Sequence, residues 1–292
     1  MWPSRCCAGN PGRPRQQAIR DQDDGPESLV EVARDLARPL EVCLLVRPDW
    51  DLVALDEEDV SHLVNPSALS ALASDIAACR RCPRLVAWRE KVATEKVARF
   101  AGETYWGRPL AGFGDPDARV FVLGLAPAAH GGNRTGRIFT GDRSGDFLVA
   151  ALNATGFANQ PTSVSADDGL RLTDAYIAAA VRCAPPMNRP TNPERDRCAP
   201  FLVRELAALP RVRVIVALGA FAWDAALRTI ASGGATPIPR PRPKFGHGTE
   251  AVVGSYELIA SFHPSQRNTF TGRLSAPMLE AVLRRAGALA RD

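Results

Sequence analysis

Four short, largely apolar stretches punctuate the chain at Val120–Gly124, Tyr176–Val181, Val212–Leu218 and Leu258–Phe262, each running into a glycine or turn signal. Runs of this length with β-branched residues suit strands buried on both faces. Between and after them, apolar residues recur at three- and four-residue spacing around Ser144–Thr155, Pro193–Ala208, Ala220–Ile230 and Ser275–Ala290. That is the period of an amphipathic helix. Strands alternating with helices predict an α/β domain with a mainly parallel sheet covered on both sides.

The pattern also marks where this domain begins. From Asn65 onward a helix opens at Pro66-Ser67, with Leu69, Leu72, Ile76 and Cys79 on one face. Upstream the chain is rich in Asp, Glu, Arg and Pro, with one apolar patch at Leu40–Val46 and no motif. Residues 1–64 therefore read as an N-terminal extension, expected to be poorly ordered, and residues 65–292 as the main folded domain. A chain starting at Val64 is expected to fold and act alone.

Charge sharpens that division. The net charge of +4 hides 7 Lys/Arg against 13 Asp/Glu in residues 1–64 and 29 against 19 in the remainder. A body of charge +10 favours a polyanionic partner, although charge alone carries no specificity. The longest apolar run, Val214–Trp223, is about half the ~18 residues of a membrane span. The first residues lack a continuous apolar signal segment, so a cytoplasmic, monomeric protein with no membrane contact is expected.

Three motifs carry chemistry. Cys79-Arg80-Arg81-Cys82 is a CxxC, and Cys183 and Cys198 form a second pair far along the chain. Four thiolates from two distant segments suit one metal centre, either zinc or an iron–sulfur cluster. The other three cysteines, Cys6, Cys7 and Cys43, are expected to bind nothing. Next, the segment from Gly124 to Asp142 follows a strand and precedes a helix, with glycines that let a ligand approach the backbone. It matches neither a Walker A nor a dinucleotide fingerprint. Phe139 within it is either core or a base-stacking platform. Last, His263-Pro264-Ser265 ends the final strand, where a histidine can serve structure or point into a cleft.

Taken in this order, the motifs resemble the uracil-DNA glycosylase superfamily, and within it the type 5 (B-type) enzymes. The resemblance rests on Gly124-Leu125-Ala126-Pro127 with Ala128-Ala129-His130-Gly131-Gly132-Asn133-Arg134-Thr135-Gly136-Arg137. It rests equally on Arg182-Cys183-Ala184-Pro185-Pro186-Met187-Asn188, and on His263-Pro264-Ser265 with Asn268-Thr269. It implies a three-layer αβα sandwich around a four-stranded parallel sheet. It also implies a structural [4Fe-4S] cluster on Cys79, Cys82, Cys183 and Cys198, and a DNA repair enzyme that removes deaminated bases from double-stranded DNA. Leu125 and Ala126 stand where uracil-specific branches carry a water-positioning acid, and Ala179 stands where the type 4 branch carries a base-reading Asn. The first departure implies that the water activator sits elsewhere, and the second implies looser base selection, extending to hypoxanthine.

Under that resemblance the chemistry assigns roles. Asp142 is expected to hold water and oppose the sugar cation, with helix capping as its structural alternative. His263 is expected to stabilise the departing base, and Asn188 to hydrogen-bond base or water. Gly124, Ala126 and Phe139 are expected to line the base site. Arg134, Arg137, Arg267, Asn268 and Arg273 are expected to contact DNA, helped by the stiff basic run Arg240-Pro241-Arg242-Pro243-Lys244. No lysine lies in the three motifs, so hydrolysis to an intact abasic site is expected. A different class, a non-catalytic zinc-containing nucleic-acid-binding protein, fits the cysteines and the charge alone.

Overall fold

In the computed structural model, residues 66–232 and 237–291 are described. The extension 1–64, with Cys6, Cys7, Cys43 and the Leu40–Val46 patch, lies outside them.

The four expected strands form a parallel sheet. They are β2 (Val120–Gly124), β3 (Ala175–Ala179), β4 (Val214–Leu218) and β6 (Tyr256–Ser261), and neighbours β3-β2-β4-β6 all pair parallel. Two further strands extend it antiparallel at the edges, β1 (Phe113–Gly114) on β3 and β5 (Glu250–Val253) on β6. The sheet is thus mixed and six-stranded, in the order β1-β3-β2-β4-β6-β5.

Successive side chains on a strand point to opposite faces, and both faces here are apolar. Val120, Val122, Ile177, Val214, Val216 and Ile259 share one core with Leu148, Val149 and Leu152 of one helix and Leu279, Val282 and Leu283 of another. Phe121, Leu123, Tyr176, Ile215, Ala217 and Leu258 share the other with Leu202, Leu206, Trp223 and Leu227. The three layers follow.

In chain order the helices are α1 (Pro66–Ala77), α2 (Pro83–Glu95), α3 (Gly132–Thr135), α4 (Arg143–Ala154), α5 (Asn192–Ala207), α6 (Ala220–Ser232), α7 (Gln266–Phe270) and α8 (Ala276–Leu289). Their starts follow sequence logic. Thr191 and Glu194 form a reciprocal capping box on α5, and proline opens α2 at its first position. No helix among the described residues is long and apolar enough to cross a membrane.

From β2 the chain passes to β3 on one side, then to β4 on the other. Loops leaving the carboxyl ends of β2 and β4 therefore diverge, which opens a crevice at the switch point. The glycine-rich loop and Gly219 begin there, and the His263 loop leaves the neighbouring strand β6.

Candidate active site

The loop after β2 is built around Phe139. A methyl group at Gly124 would lie 2.6 Å from its ring Cε2, and one at Gly145 would lie 2.2 Å from its carbonyl oxygen. Two glycines thus let a strand end and a helix start close on one aromatic residue, whose φ of 50° sits in the left-handed region. The ring is buried and its centroid stands 6.1 Å from that of His263, tilted 32°.

His263 reaches this place because β6 ends at Ser261 and Pro264 turns the chain. Ser265 caps α7, and Asn268 Nδ2 donates to the His263 carbonyl at 2.8 Å. Gly219, with φ of 95°, leaves room behind the imidazole. Burial pushes the His263 pKa down to about 4, so the ring is neutral at neutral pH. It can donate one hydrogen bond while retaining the acceptor nitrogen.

Asp142 is observed as the N-cap of α4. Its Oδ1 accepts from Ser144 N at 2.9 Å and Gly145 N at 3.0 Å. Its Oδ2 lies where a side chain on Gly131 would stand. One oxygen thus caps while the other rests against the loop backbone. Burial raises its pKa, opposed by those two amides. The capping alternative is therefore present in the structure.

Asn188 projects from a short 3-10 turn, Pro186–Asn188, after β3 and is exposed. Both Met187 and Asn188 carry φ of 54° there. Ala126 packs at the edge of the cysteine patch, between it and the crevice loop. Ala179 ends β3 and pairs in register with Gly124, which places a methyl-bearing residue beside the carboxyl end of β2.

The arginines divide sharply. Arg267 and Arg273 are exposed, with Arg273 stacked 4.4 Å over the Phe262 ring. Arg143, which sequence reasoning passed over although it adjoins Asp142, is exposed and lies 5.4 Å over the Phe270 ring. Arg134 and Arg137 do not join them. Arg137 is buried, forking to both oxygens of Asp168 at 2.8 Å. Arg134 binds Glu103, the His130 carbonyl and the Gly141 carbonyl. Both pin the glycine-rich loop, because their carboxylate partners arrive from segments 31 residues away. Arg242 of the basic run is held by Asp224. His130, also in the loop, meets Tyr105 Oη through Nδ1 at 3.0 Å.

The four cysteines are free thiols. Cys82 is the N-cap of α2, Cys198 rides on α5, and Cys82, Cys183 and Cys198 share one buried patch. Cys79 packs beside Leu72, Ile76 and Phe201, and its carbonyl shares the Arg89 guanidinium with Cys183 Sγ. Burial pushes the Cys183 thiol up to about 12 and also raises Cys198. Among the described residues, no three His, Cys, Asp or Glu side chains are grouped so as to hold a single metal ion. The cysteine lobe is tied to the active-site loop by Asn133 Nδ2, which donates to the Arg89 carbonyl at 3.2 Å.

The loops leaving β2 and β6 thus bring the Phe139 ring and a neutral histidine together, and Asp142 caps the helix that follows the same glycine-rich loop. The family model described as "Uracil DNA glycosylase superfamily" matches residues 111–286, and the chain belongs to that superfamily. Within it the chain sits with the type-5 members. It is 52% identical over 217 residues to a type-5 uracil-DNA glycosylase of Mycobacterium tuberculosis, covering 74% of this chain and 79% of the relative. It is 51% identical over 221 residues to that of Thermus thermophilus, covering 75% and 97%. A type-4 uracil-DNA glycosylase of Thermotoga maritima is 32% identical over 157 residues, covering 53% and 69%.

Proposed function

We propose that this chain is a uracil-DNA glycosylase. It rotates a deaminated nucleotide out of double-stranded DNA and hydrolyses its N-glycosidic bond, leaving an abasic site. Uracil is one substrate, and hypoxanthine and related deaminated bases are others. The observation that carries this reading is the Phe139–His263 pair at the carboxyl ends of β2 and β6, 6.1 Å between ring centroids.

Extrusion costs a few kcal/mol, least at a mismatch, so weakly paired lesions are favoured before any contact is made. Phe139 stacks on the flipped base. As the bond breaks, the base gains negative charge and the sugar positive charge. Neutral His263 donates to the base oxygen without first losing a proton. The Asp142 carboxylate lies near the sugar and orients water, and Asn188 steadies base or water. Apolar Leu125, Ala126 and Ala179 offer no amide or acid that selects uracil over a purine, which supports the wider substrate range. The exposed arginines Arg143, Arg267 and Arg273, with Asn268, form the phosphate-contacting rim.

Cys79, Cys82, Cys183 and Cys198 would hold a [4Fe-4S] cluster. The donor set fits, with four free thiols and a buried cation, Arg89, whose Nη1 lies 2.9 Å from Cys183 Sγ. When bound, the cluster supplies covalent ties between α2 and α5, which hold the lobe that anchors Asn133. Incubation of the full chain with duplexes carrying uracil, hypoxanthine or xanthine, followed by alkali, tests the reading. Alkali-labile breaks at uracil and hypoxanthine are expected, and breaks at uracil alone would remove the wider range.

A further inference from the structure

Four buried arginines are found among the described residues: Arg89, Arg137, Arg182 and Arg195. Three of them hydrogen-bond a carboxylate directly. Arg137 has Asp168, Arg182 has the equally buried Glu205, and Arg195 has Asp196 and Asp224. Arg89 differs. It is 2% exposed, its Nη1 donates to Cys183 Sγ at 2.9 Å, and both Nη groups reach the Cys79 carbonyl at 3.3 Å. Its Nε has no partner. The nearest carboxylate, Glu90, stands 3.7 Å away, is 43% exposed and is already held by Arg80.

A guanidinium removed from water needs an anion or its desolvation is uncompensated. The Glu90 ion pair supplies one only at long range, on an exposed carboxylate shared with Arg80. A four-iron core of charge 2+ bound by four thiolates supplies one in direct contact, because its net charge is 2−. Hydrogen bonds to the ligand sulfurs and nearby charge are the levers by which a protein sets the stability and potential of such a cluster.

We propose that Arg89 is the charge-compensating positioning residue of the four-cysteine centre, bonding Cys183 Sγ and the Cys79 carbonyl together. This rests on the cluster reading given above. Its consequence is specific to charge. Reduction adds one negative charge to the cluster, and a cation in contact with a ligand sulfur favours the reduced form.

The test uses full-length protein purified with its cluster, comparing wild type, Arg89→Gln, Arg89→Lys and Arg211→Gln. Iron per chain, the midpoint potential and the rate of bleaching by a chelator are measured. Arg89→Gln is expected to shift the oxidised-to-reduced ratio at a fixed potential at least tenfold toward oxidised, about 59 mV for one electron. It is also expected to bleach at least tenfold faster. Arg89→Lys restores most of both losses, and Arg211→Gln, an exposed charge outside the cysteine segments, stays within twofold of wild type. Arg89→Gln with full iron and both values within twofold of wild type overturns the proposal. If Arg89→Gln binds no iron, recovery of four irons in Arg89→Lys supports it, and loss in both variants overturns it. Wild-type protein without iron overturns the cluster reading, and the role of Arg89 falls with it.

Discussion

Placing a methyl group on residue 124 tests whether the pocket floor is built as described. In Gly124→Ala the new carbon would stand 2.6 Å from Cε2 and 2.8 Å from Cζ of Phe139. Carbon atoms prefer about 3.5–4.0 Å, so the ring edge must retreat by about 1 Å. Its retreat is opposed. The Phe139 backbone is fixed at φ of 50°, its carbonyl is packed on Gly145, and His263 stands across the cleft. Overpacking of this kind costs about 1–3 kcal/mol. At about 2–4 °C per kcal/mol for a domain of this size, Tm should fall by about 2–12 °C. The catalytic effect should be larger, since a displacement of about 1 Å in a positioned group can cost ~10²-fold in rate. Single-turnover cleavage of a uracil duplex, with Tm followed by circular dichroism, reads both. Gly124→Ala with Phe139→Leu should recover part of the lost Tm, because the clash is pairwise. A single-turnover rate for Gly124→Ala within twofold of wild type would refute the claim that Phe139 is the surface on which the base rests.

Three further predictions follow from the same site. Asp142→Ala removes an N-cap at about 1 kcal/mol and should also slow single-turnover cleavage by ~10²-fold at near-normal duplex affinity; a lower Tm with the rate within a few fold would leave it a cap alone. Because His263 titrates near 4 in the folded chain against about 6.5 unfolded, its stabilising effect is complete above pH 6.5 and fades as pH falls toward 4, and cleavage should show no inflection near 6.5. An inflection there that disappears in His263→Gln would contradict the desolvated ring. Arg143→Ala, Arg267→Ala and Arg273→Ala should each lower the salt slope of duplex binding by about one, whereas Arg137→Ala should cost about 1–3 kcal/mol of stability, because Asp168 loses its cation but keeps the Val164 and Leu170 amides.

How much of this was legible in the sequence depended on whether a signal was local. The parallel strands β2, β3, β4 and β6 announced themselves because both faces are buried and their apolar runs are nearly continuous. The edge strands did not. β1 has only two residues, and β5 alternates Glu250 and Val252 outward, so neither carries a buried run. The cysteine pairs and the His263 loop were legible by spacing. Arg134 and Arg137 misled, because nothing near them in sequence reveals Glu103 or Asp168 as partners. Asp142 was ambiguous because an acid just before a helix reads equally as a cap or as a catalytic group, and in the fold one of its oxygens does cap. Arg89 carried no signal, because a helical arginine between Trp88 and Glu90 reads as solvated until the cysteine lobe closes over it.

The central claim is that the Phe139–His263 crevice releases a base from DNA by hydrolysis. The most direct measurement follows a uracil-containing duplex mixed with excess full-length protein, quantifying free uracil and strand integrity before and after alkali. The account predicts stoichiometric release of free uracil, an intact strand until alkali is added, and a rate that falls ~10²-fold or more in His263→Ala. Folded, iron-replete protein that releases no uracil would contradict it.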